Sequence, residues 1–180
     1  MFDKLPISSK TEKILTKSLD EPISAEDANY LINIKGSDLY PLLATADYLR
    51  QEIAGNNVTF INNCNINFTN ICTVRCGFCA FGKDADDPEA YILDDEAILK
   101  KAQGAVDKGA HEFCVMGGVL PDADVEYYEH LLQLLKGEFP NIMIHGFSPT
   151  MIKDASVVSG ISVEEAFERL KSAGLDTLPG

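Results

Sequence analysis

Segments with β-strand character alternate with amphipathic helices from residue 58 onwards, and this order constrains the fold more than any other feature. Strands are predicted at residues 58–68, 112–116, 142–147 and 175–178. Helices are predicted at residues 94–108, 124–139 and 162–174. Strand and helix units that repeat roughly every 30 residues are typical of parallel sheets with helical crossovers. The sequence therefore predicts an α/β fold, either a doubly wound open sheet or part of a parallel β/α barrel.

The residues before the first predicted strand have helical character. Ser24 is followed within three positions by two acidic residues, which is typical of a helix start because acidic groups favour the positive end of the helix dipole. A second helix is predicted at residues 39–53, where apolar residues recur at intervals of three or four. We therefore expect an N-terminal helical segment at residues 1–55 and a parallel α/β domain at residues 56–180.

The balance of charge and hydropathy restricts the classes of partner. The 180 residues include 28 acidic and 15 basic side chains, for a net charge of −13. Phosphate binding needs clustered Lys and Arg, so this charge argues against a nucleic-acid site. No apolar run approaches the roughly 20 residues of a membrane helix, and the N-terminus lacks the basic start and apolar stretch of a signal peptide. We expect a cytoplasmic protein that binds neither nucleic acid nor membranes.

Three of the five cysteines lie within eight positions, in the order Cys72-x3-Cys76-x2-Cys79. Structural zinc sites use four ligands, and the other two cysteines, Cys64 and Cys114, stand singly on predicted strands. A cubane iron–sulfur cluster held by three thiolates leaves its fourth iron open for a cofactor or substrate. The motif therefore predicts an iron–sulfur cluster, with a zinc site or incidental thiols as the alternatives.

With the aromatic Phe78 before its last cysteine, this motif resembles the CxxxCxΦC motif of the radical S-adenosylmethionine (SAM) superfamily. The resemblance implies a partial parallel β/α barrel and a [4Fe-4S] cluster on Cys72, Cys76 and Cys79, whose open iron binds the amino and carboxylate groups of SAM. It also implies that the reduced cluster cleaves SAM to methionine and a 5′-deoxyadenosyl radical. By the same resemblance, we expect Phe78 to lie near the adenine of SAM. The alternative is that Phe78 only anchors the loop.

Four more candidate residues lie in or just after predicted strands. Gly117 and Gly118 resemble the glycine-rich position of the family, where backbone groups meet the amino group of SAM. His145 lies in the third predicted strand and Ser148 just beyond it, and both are candidates for contact with SAM or substrate. The alternative for His145 is a hydrogen-bonded core residue. Loops after parallel strands gather at one edge of the sheet, so we expect the candidates to share that edge with the cysteines.

A narrower resemblance rests on five segments: NINFTNICTVRCGFCAF, DPEAYIL, the strand-plus-glycine stretch at residues 112–118, HGFSPTMI and SGISVEEAFERLKSAGLDTLPG. Together they are similar to a subgroup that contains the deazaflavin FO synthase subunits and the futalosine-pathway menaquinone enzymes. The similarity is greatest to the FO synthase subunits that act as 5-amino-6-(D-ribitylamino)uracil–L-tyrosine 4-hydroxyphenyl transferases. This resemblance implies a transferase that joins the tyrosine-derived 4-hydroxybenzyl group to the aminouracil, with flavodoxin or ferredoxin as electron donor and a second FO synthase subunit as partner.

Two alternatives to the transferase remain open on these residues. One is a menaquinone-pathway enzyme, cyclic dehypoxanthinyl futalosine synthase or aminofutalosine synthase, and the other is an inactive fragment or metal-binding module. Members of the subgroup continue well past the LPG stretch, and a last strand at residues 175–178 would leave an unpaired sheet edge. We therefore expect a C-terminally truncated chain, in which residues 56–180 form the N-terminal half of the barrel domain.

Overall fold

The computed structural model describes residues 7–74 and 76–179 and divides the chain into two compact units. The first unit is Met1–Thr59 and the second is Phe60–Gly180. Within the described residues, no helix combines the length and the apolar character needed to cross a membrane.

The first unit is helical in its described part. Its α-helices are α1 (Ser9–Lys17), α2 (Ala25–Ile32) and α3 (Leu39–Ala54). The helix predicted to start at Ser24 does so, because the Ser24 hydroxyl caps α2 by accepting a hydrogen bond from the Asp27 amide at 3.1 Å. The helix predicted at residues 39–53 is α3, whereas α1 was not predicted.

The second unit contains a three-stranded parallel sheet with helical crossovers. The strands are β1 (Asn63–Asn67), β2 (Glu112–Met116) and β3 (Met143–Gly146), paired in that order. The helices are α4 (Asp95–Val106), α5 (Val125–Glu138), α6 (Pro149–Ser159) and α7 (Val163–Ala173). The predicted α/β class with parallel strands is therefore confirmed.

The two faces of this sheet differ in burial, because successive side chains along a strand point to opposite faces. On one face, Ile66, Val115 and Ile144 are at most 1% exposed and belong to the same core cluster as apolar side chains of α4 and α5. The other face, which we call the open face, carries the side chains of Asn63, Asn65, Asn67, Glu112, Cys114, Met116, Met143 and His145. All of them except Glu112 are partly or fully exposed.

The first predicted strand is shorter in the structure than in the sequence pattern, which extended from residue 58 to 68. Pairing with β2 begins at Asn63, which lies opposite Glu112, and only the five residues of β2 are available as partners. Val58 and Phe60 are 85% and 81% exposed and belong to no strand. The length of the neighbouring strand, rather than local β-propensity, limits β1.

Helix α6 was not predicted, although its boundary signals are present in the sequence. Ser148 is its N-cap, Pro149 occupies its first turn, and Gly160 ends it with a left-handed φ of 67°. Proline at the start of a helix and glycine just past its end are both typical. Ser148 therefore has a local structural role as a helix cap in addition to its place just after β3.

The fourth predicted strand, at residues 175–178, is present as one isolated bridge between Thr177 and His145. The Thr177 amide donates to the Ile144 carbonyl at 3.2 Å, and the Gly146 amide donates to the Thr177 carbonyl at 3.0 Å. Pro179 follows two residues later and has no amide hydrogen to continue the ladder. This segment is therefore attached alongside β3 without being a regular strand.

A buried aromatic cluster joins the end of β1 to the helical layer. The Phe68 ring is fully buried and makes edge contacts with Tyr127, Tyr128 and Phe147, with ring centroids 6.0, 6.2 and 6.3 Å apart. Such pairs stabilise a core beyond the area that they bury. Phe147 adopts a positive φ of 58°, which is uncommon for a bulky residue and places its ring in this cluster.

We predict that Phe68→Ala lowers the free energy of unfolding by about 3–5 kcal/mol, because it leaves a cavity between the sheet and α5. Urea unfolding followed by circular dichroism measures this loss. The matched control is Phe60→Ala, which removes an exposed ring near the start of the same unit and should change the free energy by less than about 0.5 kcal/mol. Equal losses in the two variants would contradict the assignment of Phe68 to the core.

Candidate functional site

The segment that carries the three cysteines leaves the sheet at the carboxyl end of β1 and is anchored there by buried polar residues. Thr69 is fully buried, and its hydroxyl donates to the Tyr91 carbonyl at 2.7 Å. The Asn70 side chain donates to the Glu89 carbonyl and accepts from the Tyr91 amide, both at 2.8 Å. These bonds hold both ends of the segment from Thr69 to Tyr91 at the edge of the sheet.

Backbone pairing closes the base of the cysteine loop, a name that we use for residues 72–83. The Cys72 amide donates to the Lys83 carbonyl at 3.1 Å, and the Lys83 amide donates to the Asn70 carbonyl at 2.8 Å. Thr73 bonds to the loop after β2, because its amide donates to the Val119 carbonyl at 3.0 Å. The base of the cysteine loop is therefore held in place by the segments that directly follow β1 and β2.

The glycine pair after β2 packs directly against this base. A Cβ atom on Gly118 would lie 2.0 Å from the Ile71 carbonyl oxygen and 2.9 Å from the Cβ of Cys72. A Cβ atom on Gly117 would lie 2.9 Å from the ring of Phe68. Only glycine lets the two backbones approach this closely. The structure thus gives both glycines a packing role, Gly118 against Cys72 and Gly117 against Phe68, and their contact with SAM stays a prediction.

The three loop cysteines differ in exposure. Cys72, at the base, is partly buried, whereas Cys76 and Cys79 are exposed and joined by a turn in which the Cys79 amide donates to the Cys76 carbonyl at 3.0 Å. All three are free thiols. Within residues 7–74 and 76–179, no three His, Cys, Asp or Glu side chains converge closely enough to hold a metal ion.

The donor set nevertheless fits a three-ligand iron–sulfur cluster by its chemistry. Three free thiols on one short loop, two of them facing solvent, match the cysteine ligation of such clusters. Cys64 and Cys114 lie on β1 and β2, apart from the loop. The assignment of Cys72, Cys76 and Cys79 as ligands therefore stays a prediction that the donor chemistry favours and that the side-chain positions leave untested.

The remaining predicted residues lie at different depths. Phe78 is 95% exposed at the tip of the loop and touches no core cluster. Ser148 caps α6, because its hydroxyl accepts from the Met151 amide at 3.3 Å. His145 lies on the open face, with Nδ1 2.7 Å from the Thr177 hydroxyl. Contact of each of these three residues with SAM or substrate stays a prediction.

A row of four side chains crosses the open face beside His145. In register, Asn65 of β1 lies next to Cys114 of β2, Cys114 next to His145 of β3, and His145 next to Thr177. Of these four, only His145 was predicted as a site residue. The sequence of β1, NCNIN, alternates asparagines and so places three side-chain amides on one face, a pattern that could have indicated Asn65 as a site residue. No such pattern indicates Thr177, which joins the row only through its bridge to β3.

Burial changes the acidity of two groups near this face. It raises the pKa of the Cys114 thiol, and the Glu112 carboxylate adds to the effect, so Cys114 is a neutral thiol at pH 7. Burial also raises the pKa of the Tyr91 phenol, whose hydroxyl donates to the Asn67 carbonyl at 3.3 Å. Both groups therefore act as neutral hydrogen-bonding groups at neutral pH.

Comparison with curated proteins finds relatives in several organisms that are named 5-amino-6-(D-ribitylamino)uracil–L-tyrosine 4-hydroxyphenyl transferase. The protein from Methanothermobacter thermautotrophicus is 47% identical over 174 residues, which are 97% of this chain and 47% of that protein. The protein from Methanopyrus kandleri is 44% identical, over 79% of this chain and 39% of its own length. The protein from a Nostoc species is 40% identical, over 90% of this chain and 43% of its own length. The chain thus spans less than half the length of these relatives.

Solved structures with the same fold include two of the FeFe-hydrogenase maturase HydG. One crystal structure superposes with a TM-score of 0.58 at 18% identity and covers 94% of this chain and 45% of that one. The HydG from Carboxydothermus hydrogenoformans superposes with a TM-score of 0.61 at 17% identity, over 94% and 47% of the two chains. These likenesses concern the fold alone, and they confirm the predicted fold class.

The family model of the radical SAM superfamily matches residues 66–180, which is more than half of the chain and includes all three loop cysteines. The match confirms the resemblance found in the cysteine motif. This chain therefore belongs to the radical SAM superfamily.

Proposed function

We propose that this chain forms the cluster-binding part of a 5-amino-6-(D-ribitylamino)uracil–L-tyrosine 4-hydroxyphenyl transferase. The observation that carries the proposal is the cysteine loop, held at the carboxyl edge of a parallel sheet in a radical SAM chain. The choice of substrates is supported by 47% identity, over nearly the whole chain, to a protein of that name. The product joins the tyrosine-derived 4-hydroxybenzyl unit to the aminouracil.

Radical SAM proteins use a [4Fe-4S] cluster and SAM. In this chain the cluster would be held by Cys72, Cys76 and Cys79. When reduced, such a cluster supplies the electron that splits SAM into methionine and a 5′-deoxyadenosyl radical. Cys72 lies at the anchored base of the loop, so the sheet sets its position, while Cys76 and Cys79 lie farther along the loop and are exposed.

The other residues of the chain position these groups. Thr69 and Asn70 fix the start of the loop through their side-chain bonds, and Gly118 lets the end of β2 lie against Cys72. The open face leads up to this edge, and its exposed positions are mostly uncharged. A substrate on that face would meet the radical close to where it forms, with bulk water excluded by the bound substrate itself.

The same proposal implies the partners. A reductant must deliver the electron, and flavodoxin or ferredoxin is the class of protein that we infer, together with a second FO synthase subunit. The cytoplasm is the proposed compartment, because reduced thiols and an oxygen-sensitive cluster need a reducing environment. Neither nucleic acid nor membrane is part of the proposal.

The function is tested by anaerobic reconstitution of the chain with iron and sulfide, followed by reaction with SAM and dithionite. We predict that 5′-deoxyadenosine forms and that L-tyrosine with the aminouracil increases its yield several-fold. Cys79→Ala, which removes one proposed ligand, is the control and should form none. Stimulation by futalosine-type substrates instead would favour the menaquinone-pathway alternative. A loaded cluster without any SAM cleavage would favour the metal-binding module.

The ligand assignment is tested one cysteine at a time. We predict that Cys72→Ala, Cys76→Ala and Cys79→Ala each reduce iron per chain to the level of unreconstituted protein, because a cubane cluster held by two thiolates is not retained. Cys64→Ala, on β1 and away from the loop, is the matched control and should keep the cluster. Iron and sulfide analysis after desalting gives the result. Loss of iron in the Cys64 variant to the same extent would overturn the assignment.

The packing role of the glycine pair gives a separate prediction. Gly118→Ala should lower both cluster retention and the SAM-induced change in the electron paramagnetic resonance spectrum, because the new methyl group must displace the Ile71 peptide and Cys72. Gly104→Ala is the matched control, since a Cβ atom there meets nothing within 4 Å. A Gly118 variant that retains the cluster and loses only the SAM response would show that the glycine serves the cofactor rather than the loop.

A further inference from the structure

The four-residue row across the open face is built to present hydrogen-bonding groups without charge. Neighbouring strands lie about 4.8 Å apart, so the row from Asn65 through Cys114 and His145 to Thr177 extends over roughly 14 Å. The Asn65 side-chain amide has no hydrogen-bond partner among the described residues. It can therefore donate and accept at one end of the row.

His145 is held in one orientation by Thr177. Backbone bonds to Ile144 and Gly146 fix Thr177 alongside β3, and its hydroxyl lies 2.7 Å from Nδ1 of His145. The bond at Nδ1 fixes the orientation of the ring and leaves Nε2 for another partner. Within the described residues, Nε2 of His145 has no such partner. Thr177 is thus a positioning residue for a ring nitrogen that is available to a ligand.

The charge of the open face discriminates between the two proposed substrates. Its eight strand positions include one carboxylate, Glu112, and no Lys or Arg. Glu112 is 6% exposed and already accepts a hydrogen bond from the Asn63 amide at 3.3 Å. An amino-acid carboxylate is bound most strongly by Arg or Lys, and the strand positions of this face carry neither. A neutral ligand with many donors and acceptors matches it better.

On these grounds we propose that Asn65 and His145, with His145 positioned by Thr177, bind the neutral aminouracil substrate and not L-tyrosine. The ring N–H and C=O groups and the ribityl hydroxyls of this substrate are the uncharged donors and acceptors that an amide and an imidazole recognise. The inference rests on the proposed function, because it assigns one of the two substrates of that reaction to a place in the fold.

Anaerobic equilibrium dialysis of the reconstituted chain, with the aminouracil and L-tyrosine as separate probes, tests the assignment. We predict that His145→Phe and Asn65→Leu each weaken binding of the aminouracil about tenfold, since each leaves one polar group of the ligand without a partner. Binding of L-tyrosine should not change. His130→Phe, an exposed histidine on α5 that pairs with Asp95, is the matched control and should bind both probes as the unaltered chain does.

Thr177 supplies a second pair of variants on an exposed position, where substitution does not disturb the core. Thr177→Val should weaken binding of the aminouracil severalfold, and Thr177→Ser, which keeps the hydroxyl, should restore it. Circular dichroism confirms that each variant is folded.

The outcomes separate the inference from the function on which it rests. If the unaltered chain binds the aminouracil and the His145, Asn65 and Thr177→Val variants bind it equally well, the assignment is wrong and the proposed function stands. If the same variants weaken only L-tyrosine, the face holds the other substrate and the assignment is again overturned. If the unaltered chain binds neither probe, the proposed function fails, and this inference fails with it.

Discussion

The ends of β1 and β2 lie so close together that a single additional carbon atom would not fit between them. A Cβ atom on Gly118 would lie 2.0 Å from the Ile71 carbonyl oxygen, and one on Gly117 would press into the buried ring of Phe68. The position of Cys72 depends on this contact, because Cys72 follows Ile71 directly and its own Cβ is among the nearest atoms to that site. The aromatic cluster around Phe68 supports the same contact from the core side. The cysteine loop is therefore positioned by packing between strand ends as well as by its own hydrogen bonds.

The two faces of the sheet have different roles, one in the core and the other towards a ligand. One face is apolar, faces α4 and α5, and provides the core that stabilises the unit. The open face is polar and largely uncharged, and its strands end at the edge from which the cysteine loop projects. In parallel α/β folds the carboxyl edge of the strands is where ligands bind, because the loops that follow the strands converge there. A ligand on the open face and a cofactor on the loop would thus be neighbours without sharing side chains.

Much of the second unit was predictable because its elements have strong local signals. The strand at residues 112–116 was predicted with the bounds that the structure gives, and α4, α5 and α7 lie within two residues of their predicted ends. Helix α6 was missed although Ser148, Pro149 and Gly160 mark its boundaries. The excess length predicted for β1 has a different cause, since the extent of a strand depends on a partner that is distant in sequence.

The sequence by itself determined the α/β class, the superfamily and the three thiols of the loop, because these depend on periodicity and on residues that are close along the chain. Only the tertiary structure decided that Gly117 and Gly118 pack against the base of the loop, that Ser148 is a helix cap, and that Thr177 orients His145. Each of these contacts except the Ser148 cap joins residues at least 30 positions apart. Local sequence patterns carry no information on contacts between residues so far apart along the chain. Strand register and the packing of one backbone against another determine these contacts.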